Sequence, residues 1–121
     1  MKRLIRSFTF ALKGLSEALK SEPNFKIYGL AILAVIILGV YLELTTAVWG
    51  LVILSTGLVL AAELFNTAVE KLGDLVAGGK QIPLIAKSKD IAAAAVLVAA
   101  LTALAIGIIF LLIPLAQKIM D

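Results

Sequence analysis

The sequence predicts an all-α membrane protein, with three transmembrane helices preceded by an N-terminal amphipathic surface helix, in a single membrane-embedded domain over residues 1–121. Three observations carry that prediction. Hydrophobic residues make up 62% of a 121-residue chain whose mean hydropathy is +1.11, and a soluble domain of this size has too small a core to hide them. The apolar residues gather in three long uncharged runs, each near the roughly 20 residues that cross a bilayer. Ten of the eleven Lys and Arg fall before the first run or between the second and third, a one-sided bias that membrane insertion produces.

The surface helix covers about residues 2–21. Within "KRLIRSFTFALKGLSEALK", Leu4, Ile5, Phe8, Ala11, Leu12, Leu15, Ala18 and Leu19 share a stripe about 140° wide at helical periodicity. Lys2, Arg3, Arg6, Lys13, Glu17 and Lys20 lie opposite, with Phe10 the one aromatic among them. Such a helix rests in the lipid interface with its basic face in water. Pro23 restricts Glu22 to an extended conformation and breaks the helix at "SEPNF".

The spans are expected at about 26–46, 47–74 and 90–116. The first two reach full length only by taking in flanking polar residues. The third is comfortably long, and Pro114 sits near its end, where a proline does little harm. "ELTT" between the first two allows only a tight reversal. The positive-inside rule then puts the N-terminus and a 71–90 loop in the cytoplasm, with "ELTT" and the C-terminus outside. No cleavable signal peptide is expected, because the first 26 residues are studded with charge and lack an apolar h-region. Ala95, Ala99, Ala103 and Gly107 form a ladder of small residues at i+4 that lets helices approach closely, within one subunit or at an oligomer seam.

Composition limits the chemistry. With no Cys and no His, disulfides, thiolate nucleophiles, imidazole bases and Cys/His metal sites are excluded. Acid–base or metal chemistry must rest on carboxylates and lysines. The net charge of +3 is clustered on one side, which suits anionic headgroups or a phosphate-bearing ligand rather than nucleic acid.

The informative stretch is "AAELFNTAVEKLGD", residues 61–74. Glu63, Asn66, Glu70 and Asp74 step by three, four and four, so their side chains project within about 80° of one another. A helix end that only marked the water line would need no single-faced row of acids, and snorkelling lysines would serve it at lower cost. A second acid, Glu22, lies at the break before the first span. Carboxylates and an amide oxygen are hard donors that suit Mg²⁺, and a partly desolvated carboxylate can act as a general base. Arg3, Arg6, Lys13, Lys26 and Lys89 could hold a polyphosphate. These parts together describe phosphoryl transfer at a membrane surface. The run "GDLVAGGKQ" is not a P-loop, because Asp74 and Gln81 stand where that motif needs Gly and Ser or Thr. It reads instead as a flexible connection after the second span. A small oligomeric proton-coupled transporter is the alternative, since it too places glutamates in membrane helices.

"ELFNTAVEKLGD" followed by "KDIAAAAVL", with "FALKGL" and "SEPNFKI" upstream, closely resembles the signature of the small bacterial integral-membrane diacylglycerol kinases and undecaprenol kinases. The resemblance runs through nearly the whole chain. It implies a homotrimer in the bacterial inner membrane with active sites shared between subunits, ATP–Mg²⁺ as phosphoryl donor and a membrane lipid alcohol as acceptor. Carried over by position, Glu63 is the base at the lipid hydroxyl, Glu22 and Glu70 the metal pair, and Asn66 an orienting neighbour that also meets substrate and nucleotide. Lys89 and Asp90 hold the family's K-D position beside the nucleotide, Asp74 the acidic position ending the second helix, and Arg3, Arg6 and Lys13 basic positions on the surface helix. The first-helix residues are more similar to the undecaprenol kinase branch, although that branch usually carries His where Tyr28 stands. Ser88 replaces the family's Ala before K-D, a His common in the cytoplasmic loop is absent, and that loop is one residue longer.

Overall fold

The computed structural model describes residues 1–121, and every regular element in it is helical. Helix α1 (Lys2–Ser21), α2 (Asn24–Tyr41), α3 (Thr46–Ala77) and α4 (Pro83–Gly107) follow in order; α4 then runs through one π turn (Ile108–Leu112) into α5 (Ile113–Met120). Three rods are long and apolar enough to cross a membrane: α2, α3 and the continuous Pro83–Met120.

Local sequence explains each break. Glu22 is extended (φ −112°, ψ 113°), as Pro23 requires, and only these two residues separate α1 from α2. At the far end, α2 stops at Tyr41 and the chain reverses through Leu42–Thr45, with Glu43 left-handed at φ 54°. Thr45 then caps α3 by accepting from the Val48 N–H at 3.4 Å. α3 ends where Gly78 turns left-handed at φ 55° and donates its N–H to the Asp74 carbonyl, the usual glycine stop. Pro83 opens α4 within its first turn, where a missing N–H is harmless.

One expectation changes here. The 71–90 segment is not mainly loop: α3 continues to Ala77, α4 begins at Pro83, and only 78–82 is non-helical. "GDLVAGGKQ" is therefore half helix. Pro114 leaves the rod unbroken, as expected, at the cost of one local adjustment. It cannot donate to the carbonyl four residues back, and the helix answers by widening, with the Ile113 N–H reaching back five residues to Ile108. Such local π adjustment is how long apolar helices absorb a proline.

α3 and α4 form the principal packed pair. The buried residues of α3 are Val52, Ser55, Val59, Glu63 and Thr67, spaced by three or four so that they form one inward stripe. Ala99 is buried opposite, while Ala95 is exposed. Of the small-residue ladder, Ala99 packs within the subunit, Ala103 and Gly107 line the cavity between helices, and Ala95 faces outward.

α2 touches this pair mainly at its two ends. At the far end Trp49 lies on Gly39, so closely that a Cβ at residue 39 would fall 2.6 Å from the indole. Lys118 also donates to the Tyr41 carbonyl at 2.9 Å and places its ammonium 4.4 Å from the Tyr41 ring centroid. Between the ends, α2 stands off from α3 and α4 and leaves an apolar cavity of about 340 Å³, whose lining includes Tyr28, Ser55, Val59, Ala103, Gly107 and Leu111. α1 touches the bundle only near its C-terminal turn, where Ala18 is buried.

Candidate active site

Glu63 decides how the acidic row is to be read. Its side chain is 4% exposed, and it occupies the same inward stripe as Val52, Ser55 and Val59. An ionised group so placed is costly unless it is hydrogen-bonded. Asn24, the first residue of α2, supplies the bond: its Nδ2 donates to Glu63 Oε1 at 3.2 Å. Glu63 is held inward, at the junction of α2 and α3.

The remaining members continue along α3 toward its C-terminal end. Asn66 is half-buried, and its Oδ1 is buried with no hydrogen-bond partner in the chain. Buried polar atoms are rarely left unpaired, so this oxygen is available to a ligand or a neighbouring subunit. Glu70 and Asp74 meet Lys89 of α4: Lys89 Nζ lies 3.0 Å from Glu70 Oε2 and donates a hydrogen bond to Asp74. Gly73 makes room for this crossing, because a Cβ there would sit 2.9 Å from Lys89 Cε and 3.1 Å from Ile85 Cγ2. A polar recess lined by Asp74, Lys80, Gln81, Pro83 and Lys89 opens beside the pair.

Depth follows from helix geometry. Glu63 stands seventeen positions after Thr46, which is about 26 Å at 1.5 Å per residue. A hydrocarbon core is about 30 Å thick. Glu63 therefore falls just inside the far boundary if α3 starts at the near one, while Glu70 and Asp74 stand clear of it.

Other candidates are not drawn together within one chain. Glu22 is half-buried, two residues before Asn24, and its carboxylate makes no ion pair. Asp90 is exposed beside Lys89. Arg3, Arg6 and Lys13 stay on α1 away from the acids; Arg6 and Lys13 lie 5.8 and 5.9 Å from the Phe10 ring centroid instead. No three acidic side chains assemble a metal cage by themselves.

Sequence reasoning missed Asn24 as a partner of Glu63, and it noted Tyr28 only as a departure from the related branch, not as a residue one turn further along α2 at the cavity. A signal existed for both. Asn24 and Tyr28 are spaced i, i+4, so they share one face of the helix that follows the Pro23 break.

The family model for prokaryotic diacylglycerol kinase matches residues 9–111. The chain belongs to this family. Among relatives, the undecaprenol kinase of Bacillus subtilis (strain 168) is 37% identical over 112 residues, spanning 93% of this chain and 90% of its own length. The diacylglycerol kinase of Synechocystis sp. is 38% identical over 93% of this chain, which spans 64% of that longer relative. The diacylglycerol kinase of Escherichia coli (strain K12) is 32% identical over 84% of this chain and 82% of its own length. The acidic row of α3 and the Lys89 pair lie inside the matched region of this diacylglycerol kinase family member.

Proposed function

We propose that this protein is a lipid kinase that moves the γ-phosphoryl group of ATP to undecaprenol or diacylglycerol, with Glu63 at the reacting hydroxyl. Family membership supports the reaction class. The observation that carries the residue assignment is the buried Glu63, held by Asn24 one turn beyond the Tyr28–Val59 end of an apolar cavity. Lipid tail and carboxylate thus have adjoining places. Glu63 receives the acceptor proton while Asn24 steadies its other oxygen, and exclusion of water strengthens every charge interaction there.

The donor set fits Mg²⁺. Glu70, Glu22 and the unpartnered Asn66 oxygen are hard ligands that suit it, and the ion bound with ATP would offset charge on the phosphate oxygens. Glu70 and Glu22 would hold the metal. Lys89, now occupied by Glu70 and Asp74, turns to the nucleotide, flanked by Asp90 and Asp74. Arg3, Arg6 and Lys13 close on the polyphosphate from α1, which lies in the interface of a bacterial cytoplasmic membrane with the N-terminus and residues 78–82 inside. The working assembly is a homotrimer whose subunits share sites. Gly50 and Gly57 of α3, with nothing packed on them, support close self-association, and a neighbour can complete the loosely gathered set around Glu22. No observation favours the proton-coupled transporter.

The test is direct. Purified protein in lipid with ATP, Mg²⁺ and each alcohol should phosphorylate at least one of them. Glu63→Gln should lower kcat by about 10²–10⁴ while leaving folding and nucleotide binding intact. Near-normal turnover in that variant would overturn the base assignment.

A further inference from the structure

Tyr28 stands between the two parts of the acceptor site. Asn24 lies one turn before it on α2 and is bonded to Glu63; the cavity begins at Tyr28 itself and continues along Ala31, Ile32 and Val35. On α3 the order is matched, with Glu63 one turn beyond Val59 of the cavity wall. Tyr28 therefore lines the end of the cavity nearest Glu63. The ring is held in place from behind: buried Phe25 meets it edge-on, centroids 6.0 Å apart at 84°. Its hydroxyl makes no hydrogen bond in the chain, so the bulk of the ring is what the structure fixes.

We propose that Tyr28 is a specificity-determining residue of the acceptor site, narrowing the passage between cavity and Glu63 so that a slender primary alcohol on one hydrocarbon chain is favoured over a two-chain acylglycerol. The proposal rests on Glu63 being the group at the acceptor hydroxyl. A polyprenol carries its hydroxyl on a terminal methylene and threads past an aromatic edge. A diacylglycerol must bring two ester groups and the root of a second chain to the same point, where the ring already fills space. A shape contrast of this kind in an apolar passage is worth about tenfold to a hundredfold in kcat/KM.

The experiment measures kcat/KM for a polyprenol and for a diacylglycerol, separately, with the full chain and Tyr28→Ala, Tyr28→Leu and Tyr28→Phe in vesicles of fixed composition. Wild type should favour the polyprenol. Tyr28→Ala and Tyr28→Leu should move the ratio at least about tenfold toward diacylglycerol, and Tyr28→Phe, which keeps the ring, should leave it within about threefold. Tyr28→Phe and Tyr28→Leu keep an apolar side chain at the cavity, so the comparison survives if the alanine variant fails to fold. An unchanged ratio in Tyr28→Leu, or a wild type that prefers diacylglycerol, overturns the role of Tyr28 and leaves the kinase reading standing. A wild type that phosphorylates neither lipid overturns the kinase reading instead.

Discussion

Asn24→Ala tests the central contact of the site. In the native chain Asn24 Nδ2 donates to Glu63 Oε1 at 3.2 Å, and Glu63 is 4% exposed. Alanine removes the donor and leaves a buried carboxylate short of a partner. A hydrogen bond to a charged group contributes about 1.5–3 kcal/mol, against about 0.5–1.5 kcal/mol for a neutral one. The substitution should therefore destabilise the wild-type protein by about 1.5–3 kcal/mol, but a Glu63→Gln background by only about 0.5–1.5 kcal/mol. The difference, roughly 1–1.5 kcal/mol, is the coupling that a double-mutant cycle reads. Reversible unfolding in mixed micelles, with all four proteins at one pH and salt concentration, supplies the numbers. Equal losses in both backgrounds would show that Asn24 supports α2 in some other way and that the buried carboxylate does not depend on it.

Glu70→Ala should raise the Mg²⁺ concentration needed for half-maximal turnover, and an unshifted titration would remove Glu70 from the metal set. Lys89→Gln should weaken ATP binding, read by equilibrium binding in the absence of lipid acceptor, since its ammonium is the cation held at the Glu70–Asp74 end of α3; unchanged affinity would confine Lys89 to a structural pairing. Gly39→Ala forces the Trp49 indole off a surface it nearly touches and should cost about 1–3 kcal/mol of stability, measured by the same unfolding assay. Lys118→Ala should cost about 0.5–1 kcal/mol through loss of the cation–π contact with Tyr41, with turnover unaffected because the lock is at the opposite end from Glu63.

Much of this architecture is legible in the chain because its strongest signals are local. Pro23 breaks the first helix where backbone chemistry demands it, and a period of 3.6 places Glu63, Asn66, Glu70 and Asp74 on one face. Gly78 and Pro83 carry equally local stop and start signals, which the expected bounds of 74 and 90 passed over. What periodicity cannot provide is the partner across a gap. That Lys89 folds over Gly73 to meet two acids depends on how α3 and α4 come together, and so does the pairing of Asn24 with Glu63 across 39 positions. Charge misled in one place: lysines between 71 and 89 suggested a loop, yet most of that stretch is helix extending past the apolar run. The π turn before Pro114 also escaped notice, because a proline late in a long helix can be absorbed in more than one way.

The length of α3 has a mechanical consequence. Glu63 and Glu70 are fixed on one unbroken rod, so the rise along the helix from Glu63 to Glu70 is about 10 Å and cannot adjust to its surroundings. A thicker bilayer would draw the carboxylate deeper, and a thinner one would lift it toward water, at fractions of a kcal/mol per Å of mismatch. The rod is a gauge of membrane thickness, and the rate should peak in vesicles whose acyl length matches it.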